Sequence, residues 1–125
     1  MSDPVQVVRD FCAAWKEPGG TAPFDRWFRP DTVWENHGMV TTTGPAEAIA
    51  LMEALAAKGM VSMEFELRAI AADGRKVLTE RTDHAYDASG KRTASFPVMG
   101  IFEVDKAGKI AAWRDYFDTQ AMVTP

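Results

Sequence analysis

Thr79-Glu80-Arg81-Thr82-Asp83 and Trp113-Arg114-Asp115-Tyr116-Phe117-Asp118 are the stretches on which the reading of this chain turns. In each, β-branched, aromatic and apolar residues alternate with polar ones at period two, the pattern of a half-buried strand. Residues two apart on a strand share a face. Arg81 and Asp83 therefore project with Val77, Thr79 and Ala85, and Asp115 projects with Ala111, Trp113 and Phe117. One arginine and two aspartates thus lie on faces that otherwise read as interior. A buried charge is costly unless it is paired. The three are expected to answer one another, and the rest of the chain to build a pocket around them.

Turn signals at Asp73-Gly74, Asp87-Ala88-Ser89-Gly90 and Asp105-Lys106-Ala107-Gly108 cut the second half into four strands, roughly 61–72, 75–86, 92–104 and 109–118. Turns this short make consecutive strands antiparallel neighbours. The strand holding Arg81 and Asp83 and the strand holding Asp115 then flank strand 92–104, so their side chains meet only across a bent sheet.

The first half reads as helical. Asp3 caps a helix with Pro4 at its first position and Gln6 reaching back as in a capping box. Val5, Val8, Cys12 and Trp15 form its apolar stripe, and Pro18-Gly19-Gly20 ends it. On that stripe Cys12 reads as a small buried hydrophobe rather than a nucleophile. A short second helix over 23–28 supplies Phe24, Trp27 and Phe28 to the core. Thr32-Val33-Trp34-Glu35-Asn36 reads as a strand with Trp34 and Asn36 on one face, and 37–43 as a loop. Pro45 opens a helix that turns Ile49, Met52, Leu55 and Ala56 inward, carries Lys58 in its last turn and stops at Gly59. The expected architecture is α+β: a curved, mainly antiparallel sheet with the N-terminal helices on its concave face, closing a cone-shaped pocket.

Length and composition narrow the function. At 125 residues the chain makes one domain, 1–125, with a core that needs no disulfide. A net charge of −4 and no basic stripe with interleaved aromatics exclude a nucleic-acid partner. Met1-Ser2-Asp3-Pro4 lacks a basic start and an apolar run, so no signal peptide is expected. The most apolar segment, 46–57, is interrupted by Glu47 and Glu53 and is too short for a bilayer, so no membrane partner is expected. A single cysteine fits a reducing cytoplasm. With two histidines and that cysteine at no ligand-like spacing, neither a metal nor a cofactor is called for.

Arg81 keeps its charge at any working pH, and its planar fork can serve two carboxylates. With both aspartates ionised the trio carries one negative charge; with one shared proton it is neutral, the cheaper state in an apolar site. Desolvation and like charge both raise one aspartate's pKa from its ordinary value near ~3.9. One acid and one base facing one cavity is the arrangement that opens a strained ring with water. Leu55, Ala85, Phe96, Val98 and Phe117 read as apolar walls beside the trio, which implies an apolar substrate.

Glu80-Arg81-Thr82-Asp83, Gly100-Ile101-Phe102, Gly108-Lys109-Ile110 and Trp113-Arg114-Asp115-Tyr116-Phe117-Asp118 resemble the limonene-1,2-epoxide hydrolase family. That family lies in the NTF2-like (cystatin-like) superfamily of cone-shaped α+β folds, shared with ketosteroid isomerase and the SnoaL cyclases. The likeness runs from about residue 31 to 118. It implies a cofactor-free hydrolase that turns a small apolar epoxide and water into a vicinal diol. Asp83 would donate a proton to the epoxide oxygen, Arg81 would bridge, and Asp115 would activate water. The family holds that water with a tyrosine and an asparagine two residues apart. Asn36 matches the asparagine, while Trp34 stands at the tyrosine position and offers only an N–H donor.

Other functions fit the same elements. A structural ion-pair network needs only the trio itself. A ketosteroid-isomerase-like proton shuttle needs a tyrosine in the pocket, yet Tyr86 and Tyr116 alternate away from the neighbouring aspartates. A SnoaL-like cyclase would use an acid in an apolar cavity, and a non-catalytic binding or dimerisation module would use none. His84 is read with Tyr86 as a surface or dimer-interface residue. Leu78, Met99 and Ile101 on the outer face lead us to expect a homodimer.

Overall fold

The computed structural model describes residues 2–16 and 21–120. Helix α1 (Pro4–Ala14) begins as its sequence asks, with Asp3 Oδ1 accepting the Val5 N–H at 3.0 Å and Pro4 in the first turn. Gln6 does not complete a capping box. Its amide donates to Asp10 Oδ1 at 2.8 Å, one turn onward on the exposed side. Val8, Phe11, Cys12 and Trp15 are buried, and the expected stop at Pro18-Gly19-Gly20 lies outside the described residues. Helix α2 (Ala22–Trp27) ends before Phe28, whose backbone is already extended at φ −83° and ψ 145°.

Strand β1 (Phe28–Asn36) is therefore longer than the expected 32–36. The segment read as a loop holds a further strand, β2 (Val40–Thr43), paired antiparallel with β1 through Asn36↔Val40 and Trp34↔Thr42. Of its four residues only Thr42 is buried, so no apolar alternation marks it. Helix α3 (Gly44–Ala57) follows, with Ala48 fully buried and Ile49, Met52, Leu55 and Ala56 half-buried. Beyond it Gly59 has φ +98°, a left-handed conformation that costs glycine little.

Strands β3 (Ser62–Asp73), β4 (Lys76–Tyr86), β5 (Arg92–Val104) and β6 (Ile110–Tyr116) make the expected antiparallel meander. The sheet order is β2-β1-β6-β5-β4-β3. The β1–β6 contact is parallel, setting Trp34 beside Trp113 and Asn36 beside Asp115. Parallel neighbours need a long crossover, and everything from β2 to β5 supplies it.

Helix α1 lies across β3, β4 and β5, and α3 lies against β1 and β2. Between helices and sheet sits an aromatic core. Phe11 meets the rings of Trp15, Trp27, Phe28, Phe102 and Trp113 at 5.2–6.1 Å. The Phe28 ring is stacked on Phe11 and the other four meet it edge-to-face; such pairs each contribute about 0.5–1.5 kcal/mol beyond the area they bury. On the outer face, Leu78, Met99 and Tyr116 are exposed. His84 does not belong with them. It is only 7% exposed, with Nδ1 2.7 Å from Ser95 Oγ and Nε2 2.9 Å from Glu66 Oε1, and these cross-strand partners make its burial tolerable. No described helix is long and apolar enough to cross a membrane.

Candidate active site

Arg81 is 1% exposed, and each of its five N–H groups has an acceptor. Nε donates to Asp83 Oδ1 at 3.0 Å, and Nη2 to Asp83 Oδ2 at 2.9 Å and Asp115 Oδ2 at 2.9 Å. Nη1 donates to Asp115 Oδ1 at 3.2 Å and Thr79 Oγ1 at 3.1 Å. The Thr79 hydroxyl in turn donates to the Gly100 carbonyl oxygen at 2.9 Å. The guanidinium is thus saturated, and it also lies 4.9 Å from the centre of the Phe65 ring. Burial opposes its charge, but the two carboxylates outweigh burial and hold its pKa above the ordinary arginine value.

The two aspartates differ in environment. Asp115 gains a third donor, Trp113 Nε1, at 2.7 Å from Oδ1. Trp113 is itself clamped between the stacked rings of Trp34 at 4.5 Å and Phe102 at 5.2 Å. Among the described residues, Asp83 receives hydrogen bonds from Arg81 alone. Burial pushes the Asp83 carboxyl above the usual carboxylate range; Arg81 pulls it back, and the charge on Asp115 adds to the rise. Burial thus favours the protonated form of Asp83. Cys12, in the field of the same trio, is pushed up to about 12 by burial and stays a neutral thiol.

A cavity of about 70 Å3 opens onto both carboxylates. Of the residues read from the sequence, Asp83, Asp115, Asn36, Trp34, Leu55, Phe96, Val98 and Phe117 line it, with Arg81 directly beneath the carboxylates. Ala85 does not reach it. The residue is fully buried, and its cross-strand partner Met63 has the longer side chain and forms the wall there. Trp15, Met52, Met60, Met63 and Phe65 complete the lining and were not anticipated. Phe65 stands directly opposite Asp83 in the β3–β4 register, a position the period-two pattern of β3 could have supplied. The role of the Trp113 N–H was likewise within reach, two residues from Asp115 on one face. The indole N–H groups of Trp34 and Trp15 are buried without an acceptor among the described residues. Neither tyrosine lines the cavity: Tyr86 donates to Glu64 Oε1 at 2.8 Å, and Tyr116 is exposed.

Residues 2–125 match the family model of the limonene-1,2-epoxide hydrolase catalytic domain. The chain belongs to the limonene-1,2-epoxide hydrolase family. Over 92 residues it is 41% identical to epoxide hydrolase EphG of Mycobacterium tuberculosis, covering 74% of this chain and 58% of that protein. The chain thus spans little more than half the length of that curated relative. The structure of an M. tuberculosis LEH-like epoxide hydrolase superposes with a TM-score of 0.78 at 35% identity, over 96% of this chain and 86% of that one. An NTF2-like protein of unknown function from Burkholderia pseudomallei K96243 superposes at 0.80 with 21% identity, over 98% and 96% of the two chains, a likeness of fold.

Proposed function

We propose that this chain hydrolyses a small, apolar epoxide to a vicinal diol without a cofactor, in one concerted step with Asp83 as acid and Asp115 as base. The observation that carries the proposal is one saturated arginine gripping two buried carboxylates under an otherwise apolar cavity, with burial favouring the protonated form of Asp83. A carboxylate offers about four lone-pair positions. Three on Asp115 are taken by Arg81 and Trp113, which leaves one on Oδ2 for water. That water passes one proton to Asp115 and directs the other to the Asn36 carbonyl oxygen. Its oxygen attacks an epoxide carbon from behind, the carbon–oxygen bond breaks, and the leaving oxygen takes the Asp83 proton. The proton now on Asp115 returns to Asp83 through water once the diol leaves.

Arg81 moves no proton. It fixes both carboxylates and keeps the trio near neutral as the charge changes places. Trp34 takes a different part from the family's tyrosine: its ring braces Trp113, whose N–H orients the base. Leu55, Phe96, Val98 and Phe117 hold the hydrocarbon part of the substrate. The single buried cysteine suits a cytoplasmic setting, and two copies would associate through the outer face around Leu78, Met99 and Ile101. The test is turnover of limonene oxide and cyclohexene oxide in 18O-labelled water, with a ketosteroid as the competing substrate. Each diol should carry one label. Isomerisation of the steroid with no diol from either epoxide would overturn the proposal.

A further inference from the structure

Arg81 and Asp115 belong to strands that are not neighbours, and β5 runs between them. At the crossing the register reads Thr79↔Gly100↔Asp115. A Cβ on residue 100 would lie 2.3 Å from Asp115 Oδ1 and 2.4 Å from Arg81 Nη1, where ordinary contact begins at 3.4 Å. It would also stand 3.2 Å from Thr79 Oγ1. Backbone strain does not explain the glycine, because its φ is outside the left-handed region in which Gly38, Gly44, Gly59, Gly74, Gly90 and Gly108 lie. A glycine inside a central strand gives up side-chain packing and conformational entropy, so a steric reason is needed.

We propose that Gly100 is a positioning residue of the site: its missing side chain is the gap through which Arg81 reaches Asp115 across the intervening strand. Any larger residue drives the two groups apart. Arg81 Nη1 and Asp115 Oδ1 would each have to retreat by roughly 1 Å, a displacement that can cost about 100-fold in rate at a reacting centre. Gly100 is not part of the cavity wall, so its substitution puts no new atom against the substrate. The catalytic consequence rests on the proposed acid–base reading; the steric one does not.

The experiment is a cycle of Gly100→Ala, Asp115→Ala and the double variant, with melting temperature measured on all four proteins and kcat and KM for cyclohexene oxide on those that turn over. Asp115→Ala leaves Arg81 paired with Asp83, removes one of the two colliding atoms and gives Arg81 room to move, and its own melting temperature is the reference for the double variant. Gly100→Ala is expected to lower kcat about 100-fold with KM nearly unchanged. It should also lower the melting temperature sharply in the parent and far less in the Asp115→Ala background. If Gly100→Ala does not fold at all, a folded double variant still supports the proposal. An equal loss of melting temperature in both backgrounds, an unfolded double variant, or a Gly100→Ala protein with parental kcat overturns it. The melting comparison needs no turnover, so a parent inactive on epoxides would refute the epoxide reading and leave the Gly100 result standing.

Discussion

Asp83→Asn isolates the proton that the proposed acid must carry. Asparagine keeps the shape of a protonated aspartate but has one acceptor oxygen instead of two. Arg81 Nε and Nη2 now donate to Asp83 at 3.0 and 2.9 Å; in the variant one of them faces an amide N–H. Losing one hydrogen bond to a charged group costs roughly 1.5–3 kcal/mol, so the protein should fold with a lowered melting temperature. Losing the general acid costs about 100- to 10,000-fold in kcat/KM, or some 3–5.5 kcal/mol of barrier. The pH dependence is diagnostic as well. Burial raises the folded-state pKa of Asp83, so its contribution to stability is complete below the unfolded-state value and disappears as pH rises through the folded one. Asparagine has no such titration. The stability gap between parent and variant should therefore narrow toward alkaline pH, while the parent's own turnover falls on the same limb. Thermal melts and cyclohexene oxide kinetics across a pH series measure both. Turnover within a few-fold of the parent, or a gap that widens with pH, would refute the assignment.

Arg81→Ala leaves two buried carboxylates without their counter-charge and should cost about 3–5 kcal/mol in denaturant melts, along with all turnover. Trp34→Tyr should keep or raise epoxide turnover, by up to about tenfold if the hydroxyl holds the water. The same variant should melt lower, because the stack on Trp113 at 4.5 Å is weakened; lost turnover at unchanged stability would make the indole itself a substrate contact. A charge at Met99, which is 53% exposed on the outer face, should convert the expected dimer to a monomer in sedimentation. A parent that sediments as a monomer at every concentration would end that expectation.

The trio was legible because strands put residues two apart on one side and buried charges must pair. Val77, Thr79, Arg81, Asp83 and Ala85 are all buried together as their spacing requires. The meander was legible from Asp-Gly and Asp-x-x-Gly turns. What escaped was non-local or unmarked. Val40–Thr43 has too few residues and too little burial to show a period. Nothing in the Trp34-Glu35-Asn36 pattern announces Trp113-Arg114-Asp115 as its parallel neighbour. Met60 reaches the cavity from the link before the edge strand and Met63 from the start of that strand, and their place depends on the curl of the sheet, which a linear pattern does not record. His84 follows the alternation to the outer face, but its burial there depends on Ser95 and Glu66 from two other strands.

The parallel docking of β1 on β6 also orders events in time. Asn36 and Asp115 stand side by side though almost the whole meander lies between them in the chain. Closing so long a loop is entropically expensive and slow compared with forming the hairpins β3–β4, β4–β5 and β5–β6. During folding, Arg81 can therefore meet both aspartates within the meander before the N-terminal strand arrives. The electrostatic centre can assemble from local pairings, with the strand that carries Asn36 expected as the last piece to close over it.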